Sequence, residues 1–151
     1  MALPPRTTKG RPLSGGRHDG GPRQESFRLP ARGASVAAAR RRVRSRLPLW
    51  GFRDEVCHAA ELVMSELFTN AVVHTRSRHI RCLLRAEGGQ SLYVEVADQG
   101  GGPVGPDPRH AGTEDESGRG LALVRALVDA WGDHPGADGG RVVWAQLGGA
   151  A

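Results

Sequence analysis

The sequence predicts an α+β fold, a two-layer sandwich in which helices cover one face of a mostly antiparallel β-sheet. Two stretches, 35–47 and 54–74, repeat apolar residues with the helical period. Two others, 79–87 and 91–99, alternate apolar and polar residues, as half-buried strands do. Residues 88–90, Gly-Gly-Gln, form a link short enough for a hairpin between them. A chain of 151 residues is long enough for one such domain with a core and short for two.

The first third of the chain differs in composition from the rest. The net formal charge is +5, yet residues 25–47 alone carry seven Arg against one acid, so the basic character is local. Residues 1–24 contain five Gly and four Pro without any hydrophobic period. Such a segment cannot bury enough apolar surface to offset the entropy of ordering. We therefore predict a disordered basic tail at 1–24 and one folded domain at 25–149.

The first two elements of the domain have clear local signals. Residues 25–30, ESFRLP, alternate in polarity and end at Pro30, which is typical of a short edge strand. In 35–47, Ser35 is available as a cap, and the apolar positions mark one face of a helix whose outer face is strongly cationic. Residues 48–52 then form a turn.

The remaining elements follow in the order helix, hairpin, long loop, helix and strand. Asp54 and Glu55 suit the positive end of the helix 54–74. Residues 119–132 are predicted to be a helix that stops at Gly132, because their apolar residues stay in phase. The last strand is RVVWAQL, 141–147.

Cysteine use and hydropathy limit the class of protein. Cys57 and Cys82 fall at core positions of a helix and a strand and lack the spacing of a zinc site, so we interpret both as buried small hydrophobes. The N-terminus has no apolar signal region, and no run approaches the ~20 apolar residues of a membrane span. We expect a cytoplasmic protein without a membrane segment or a structural metal.

Glu66 and Asn70 lie four residues apart on the helix 54–74. At about 100° per residue, Asn70 falls within the apolar arc that contains Val63 and Leu67, and Glu66 lies at its margin. One reading is a helix edge, with Asn70 bonded to nearby backbone and Glu66 solvated. The other is a pair facing a cleft, in which the amide oxygen binds Mg²⁺ and the carboxylate accepts a proton. The pair alone does not decide between them.

Two glycine-rich stretches also carry candidate binding residues. In VADQGGG (96–102), Asp98 ends a buried strand. A carboxylate fixed there could accept a hydrogen bond from the amino group of a base, although an Asp-Gly turn would show the same sequence pattern. In SGRGLALV (117–124), Gly118 and Gly120 open a helix whose free N–H groups and positive dipole end favour phosphate. The long loop between them has the length and composition of a functional lid or of disorder.

Together and in this order, the three stretches resemble the nucleotide site of the GHKL ATPase superfamily. This superfamily has the Bergerat fold and includes histidine kinases and anti-sigma-factor serine kinases. ELFTN with NAVVH looks like its N box, DQGGG like its D-x-G-x-G box, and GRGLALV like its G-x-G-L phosphate box. The resemblance covers about residues 25–147, and the small size looks most like the actinobacterial single-domain branch akin to anti-sigma-factor serine/threonine kinases.

The resemblance implies roles for single residues. Asn70 would coordinate, through its amide oxygen, the Mg²⁺ that bridges the phosphates of ATP, and Glu66 would be the general base. Asp98 would hold the amino group of adenine, and Gly100 and Gly102 would let the backbone pass close to the base.

The phosphate box would supply the rest of the ATP site. Gly118, Arg119, Gly120 and Leu121 would frame the phosphates, and residues 103–117 would form the ATP lid. Members of the superfamily often carry a hydroxyl residue near the start of the last strand to support the adenine-binding Asp. Here Arg141, Val142 or Val143 occupies that position, so the resemblance implies a reduced affinity for adenine.

Three functions remain open at this point. The leading one is an ATP-binding protein serine/threonine kinase that acts on a small antagonist protein and controls a sigma factor. The second is a non-catalytic, ATP-switched protein-binding module. The third is a nucleic-acid binder built on the basic helix 35–47, which we do not expect because no aromatic residue interleaves with its arginines. The basic helix could equally contact an acidic partner protein or a second copy in a homodimer.

Overall fold

An antiparallel β-sheet forms one layer of the molecule, and helices form the other. The computed structural model describes residues 23–99, 122–136 and 139–149. In that part of the chain the strands are β1 (Gln24–Pro30), β2 (His79–Ala86), β3 (Leu92–Asp98), β4 (Ala130–Pro135) and β5 (Arg141–Leu147), and the long helices are α1 (Ser35–Arg46) and α2 (Asp54–His74). The strand order is β1-β2-β3-β5-β4, with every neighbouring pair antiparallel. The predicted α+β two-layer fold is confirmed.

The sheet buries the face that its alternating apolar residues define. Phe27, Cys82 and Val96 are register partners across β1, β2 and β3, and all three are buried. The helix α2 contributes a set of fully buried side chains to the same core: Ala60, Val63, Met64, Leu67 and Phe68. Each large apolar side chain buried in this way contributes about 1.5–3 kcal/mol. The sheet and α2 are therefore held together mainly by apolar contact.

The helix α2 is also long and apolar enough, by length and composition alone, to cross a membrane. A core helix of a folded domain has the same properties, and the apolar face of α2 packs within the core cluster that includes the sheet. This match is therefore weak evidence for a membrane span.

Ion pairs attach the basic helix α1 to its neighbours. Arg44 binds Glu61 of α2 at 3.0 Å, and Arg46 binds Glu25 of β1 at 2.7 Å, with Arg42 on the same carboxylate. Pairs this exposed contribute only about 0–1 kcal/mol each, so they orient α1 more than they stabilise it. Part of the positive charge of α1 is thus neutralised within the chain.

The prediction of a helix over 119–132 is wrong for its last residues. The chain is helical at 122–127. The backbone N–H of Asp129 then donates to the carbonyl of Gln146 in β5 at 2.7 Å, and the chain continues as the edge strand β4. Gly132 therefore does not stop a helix. It lies in β4 against the indole of Trp144, which a Cβ at this position would approach to 3.0 Å.

The start of the ordered domain also differs slightly from the prediction. Gln24 belongs to β1, and the carbonyl of Arg23 accepts a hydrogen bond from the backbone N–H of Ala86 at 2.9 Å. Both residues fall within the predicted tail 1–24. The rest of that predicted tail, 1–22, lies outside the described residues.

Both cysteines are free and buried, as predicted. Cys82 is fully buried in β2, and this burial raises the pKa of its thiol to about 12. Cys57 lies in the first turns of α2, where burial also raises the pKa of the thiol. Because the thiolate is the reactive form, both side chains act as apolar core groups near neutral pH.

Candidate functional site

One strip of α2, at the margin of its core face, carries the predicted acid and amide. Leu62, Glu66 and Asn70 follow one another at intervals of four residues, so they lie on one side of the helix. Leu62 is 44% exposed, and Glu66 and Asn70 are half-buried. The strip is therefore exposed at Leu62 and more buried towards Asn70.

The side-chain oxygen of Asn70 is buried and accepts no hydrogen bond in the part of the chain that the structure describes. Leaving such an acceptor unsatisfied costs about 1–3 kcal/mol. The reading in which this oxygen is bonded to nearby backbone is therefore not what the structure shows. A buried, unsatisfied amide oxygen is a suitable hard ligand for a divalent cation.

Glu66 lies one helical turn before Asn70. Among the described residues, no hydrogen bond or ion pair engages its carboxylate, whereas Glu61, on the side of α2 that faces α1, is bound by Arg44 at 3.0 Å. Glu61 and Glu66 thus have different roles on α2. Glu61 serves the fold, and Glu66 remains available to a ligand.

Asp98 is the last residue of β3, between β2 and β5. Its Oδ1 accepts a hydrogen bond from the backbone N–H of Arg141, the first residue of β5, at 3.2 Å. A backbone amide of β5 thus fixes one oxygen of the Asp98 carboxylate. The side chain of Arg141 turns elsewhere and binds Asp133 of β4.

The fold brings α2 and Asp98 to the same end of the sheet. Only the residues 75–78 separate the end of α2 from the start of β2, and Ile80 of β2 is the register partner of Asp98. The C-terminal part of α2, which carries Asn70, therefore lies beside the strand ends that carry Asp98. The two elements are the helical wall and the sheet wall of the predicted cleft.

Two hydroxyl residues at this junction were missed from the sequence. Thr75 is buried directly after α2, and its Oγ1 accepts a hydrogen bond from the backbone N–H of Ser77 at 3.0 Å. The Oγ of Ser77 in turn accepts from the backbone N–H of Gln99 at 3.0 Å. The motif Thr-x-Ser after a helix is a known local hydrogen-bonding pattern and was the available signal.

The described residues contain no group of three or more His, Cys, Asp or Glu side chains that could hold a metal ion by themselves. Mg²⁺ is commonly held by one or two protein ligands together with substrate phosphates and water, and the buried amide oxygen of Asn70 has the chemistry of such a ligand.

The phosphate-binding part of the predicted site lies outside the described residues. This applies to the lid 103–117 and to the predicted glycine and phosphate-box residues Gly100, Gly102, Gly118, Arg119, Gly120 and Leu121. Of the other predicted site residues, Asn70 and Asp98 lie at one end of the domain, and Glu66 lies one turn before Asn70 on α2.

Comparison with known proteins identifies the kind of domain. No curated protein matches the chain. A family model described as the histidine kinase-like ATPase domain matches residues 29–147, which is more than half of the chain and includes both walls of the cleft. The chain therefore belongs to the histidine kinase-like ATPase domain family of ATP-binding domains.

Proposed function

We propose that this ATP-binding domain is a cytoplasmic protein serine/threonine kinase that phosphorylates a small antagonist protein and so controls a sigma factor. The observation that supports catalysis is the state of Glu66, a half-buried carboxylate one turn from Asn70 with no internal ion pair among the described residues. A carboxylate in this position is suited to accept the proton of a substrate hydroxyl.

The chemistry follows from these positions. The substrate hydroxyl gives its proton to Glu66 as its oxygen bonds to the γ-phosphorus of ATP, and the bond to the β-phosphate oxygen breaks to release ADP. Mg²⁺ bound at Asn70 would neutralise charge on the phosphates. In such transfers the protein mainly positions groups and stabilises charge.

Replacing Asn70 by Ala is expected to remove the dependence of ATP affinity on Mg²⁺. The variant loses the buried amide oxygen that we assign to the cation. Calorimetric titration with ATP, with and without Mg²⁺, measures the difference. The matched control is Thr69→Ala, since Thr69 is an exposed neighbour on the same helix. An Asn70→Ala protein that binds MgATP as tightly as the wild type would remove Asn70 from the site.

Replacing Glu66 by Gln is expected to preserve ATP binding and to slow phosphate transfer about 10²–10⁴-fold, the usual contribution of a general base. The measurement is transfer of radiolabelled γ-phosphate to the protein that co-purifies with the chain. Glu55→Gln, an exposed acid at the start of α2, is the control for loss of one negative charge. Transfer at the wild-type rate would exclude Glu66 as the base.

The second candidate is an ATP-switched binding module without catalysis. It would use the same site, and it predicts that no radiolabel reaches the partner although ATP changes the stability of the complex. A nucleic-acid function has less support, because three arginines of α1 are engaged by Glu25 and Glu61. We also propose that α1 is available to a protein partner, either the sigma factor or a second copy of the chain.

A further inference from the structure

The hydrogen-bonded pair Thr75 and Ser77 joins the two walls of the cleft. Thr75 caps the end of α2, five residues after Asn70. Ser77 binds the backbone of Gln99, the residue that follows Asp98. One short path through two hydroxyls thus connects the helix of the proposed magnesium ligand to the strand of the proposed adenine ligand.

The sheet itself does not hold Gln99. The β2–β3 ladder ends with the pair Ile80 and Asp98, and the β3–β5 ladder ends with Ala97 and Val142. The Oγ of Ser77 takes the place that a carbonyl of a neighbouring strand would otherwise fill, at 3.0 Å from the amide nitrogen of Gln99. The chain on either side of the Asp98 side chain is therefore fixed, by Ser77 through Gln99 and by the ladder through Ala97.

The hydroxyl of Ser77 is itself oriented by Thr75. The Oγ1 of Thr75 accepts from the backbone N–H of Ser77 at 3.0 Å and also forms a short hydrogen bond with the Ser77 hydroxyl. Thr75 is buried and Ser77 is half-buried, so the bond between the two hydroxyls is partly shielded from water. A hydrogen-bonded pair that fixes one backbone amide suits the task of setting a distance between two elements.

We propose that Thr75 and Ser77 are positioning residues of the nucleotide site. Their hydroxyls set the distance between the end of α2 and the end of β3, so that Asn70 and Asp98 can hold the phosphate and adenine ends of one ATP molecule together. This inference rests on the proposed site. Neither residue touches the nucleotide.

The test is MgATP titration of the full chain and its Ser77→Ala variant. Loss of the Gln99 hydrogen bond is expected to raise the dissociation constant about five- to tenfold. Ser77→Thr keeps a hydroxyl and is expected to restore affinity to within about twofold of the wild type. Thr75→Val keeps the shape but removes the hydroxyl, and we expect it to weaken binding as Ser77→Ala does.

A matched control separates positioning from general stability. At the opposite end of the sheet, the side chain of Gln90 accepts from the backbone N–H of Arg53 at 2.9 Å and donates to the carbonyl of Gly51 at 3.2 Å. Gln90→Ala removes a comparable tie to the start of α2 and is expected to lower the melting temperature without changing the affinity for MgATP. Equal weakening by Gln90→Ala and Ser77→Ala would overturn the proposal.

Hydrogen exchange of the free protein gives a readout that does not need ATP. The Gln99 amide is expected to exchange faster in Ser77→Ala and at the wild-type rate in Gln90→Ala. Faster exchange with unchanged affinity would overturn the positioning role while leaving the ATP site in place. A wild-type protein that bound no ATP would instead overturn the proposed function, and the positioning role with it.

Discussion

Replacing Asp98 by Asn is expected to weaken MgATP binding by about 100-fold or more and to leave the fold intact. A hydrogen bond to a charged group contributes about 1.5–3 kcal/mol, and an amide NH₂ turned toward the adenine amino group adds an unsatisfied donor. The Asn side chain can still accept from the backbone N–H of Arg141, as Asp98 does at 3.2 Å. Calorimetry gives the affinity, and thermal unfolding gives the stability.

Comparing ATP with GTP shows whether Asp98 contacts the base. Guanine carries a carbonyl oxygen where adenine carries its amino group, so Asp98→Asn is expected to change GTP affinity little while ATP affinity falls. Asp129→Asn is the matched control, because Asp129 also accepts from a backbone amide, that of Gly149 at 2.9 Å, near the other end of β5. If ATP and GTP weakened equally, Asp98 would have no contact with the base.

Replacing Gly148 by Ala is expected to cost about 3 kcal/mol or more of unfolding free energy. Gly148 follows β5 with a φ of +80°, and a Cβ there would lie 2.3 Å from the backbone carbonyl oxygen of Gln90 and 3.1 Å from the side chain of Val56. The left-handed backbone alone costs an Ala about 1–2 kcal/mol. The collision with backbone adds the rest, since neither the hairpin turn nor α2 can shift without disturbing the core. Urea unfolding measures the loss.

Gly139→Ala separates these two contributions. Gly139 has almost the same φ, +81°, yet a Cβ at this position meets no atom within 4 Å among the residues described. It should therefore show the cost of the backbone conformation alone. Equal losses in the two variants would mean that Gly148 is not packed against the hairpin as the structure shows.

The sequence predicts α2 and its polar strip well because one strong pattern specifies both. The apolar period continues over 21 residues, so the bounds Asp54–His74 and the position of Glu66 and Asn70 one turn apart follow from the same pattern. The strands β2 and β3 are predicted for a similar reason, since apolar and polar residues alternate along them and one face is largely buried.

The strand β4 could not be predicted in the same way. Its sequence, AWGDHP, contains Gly, Asp and Pro, which strands disfavour, and Trp131 continues the helical phase of the residues before it. Pairing with β5 overrides these local preferences, and Gly and Pro are tolerated because β4 is an edge strand.

Two features of the site are even harder to predict from the sequence than β4. The support of Asp98 comes from the backbone amide of Arg141, and every residue type except Pro offers that donor. The contact of Ser77 with Gln99 joins residues 22 positions apart, so it becomes visible only when the sheet has formed. Local patterns identify the side chains that could bind a ligand, whereas the contacts that position them depend on tertiary structure.

The rate at which each buried thiol is alkylated reports how often its layer of the structure opens. An alkylating reagent can modify Cys82, which has no exposed surface, only when the sheet opens, and it can modify Cys57 when the first turns of α2 fray. The native chain therefore carries one reporter in the sheet and one in the helix, without any introduced label. Bound nucleotide is expected to slow alkylation of the thiol in the layer that it stabilises. The ratio of the two alkylation rates therefore shows which wall of the cleft ATP stabilises more.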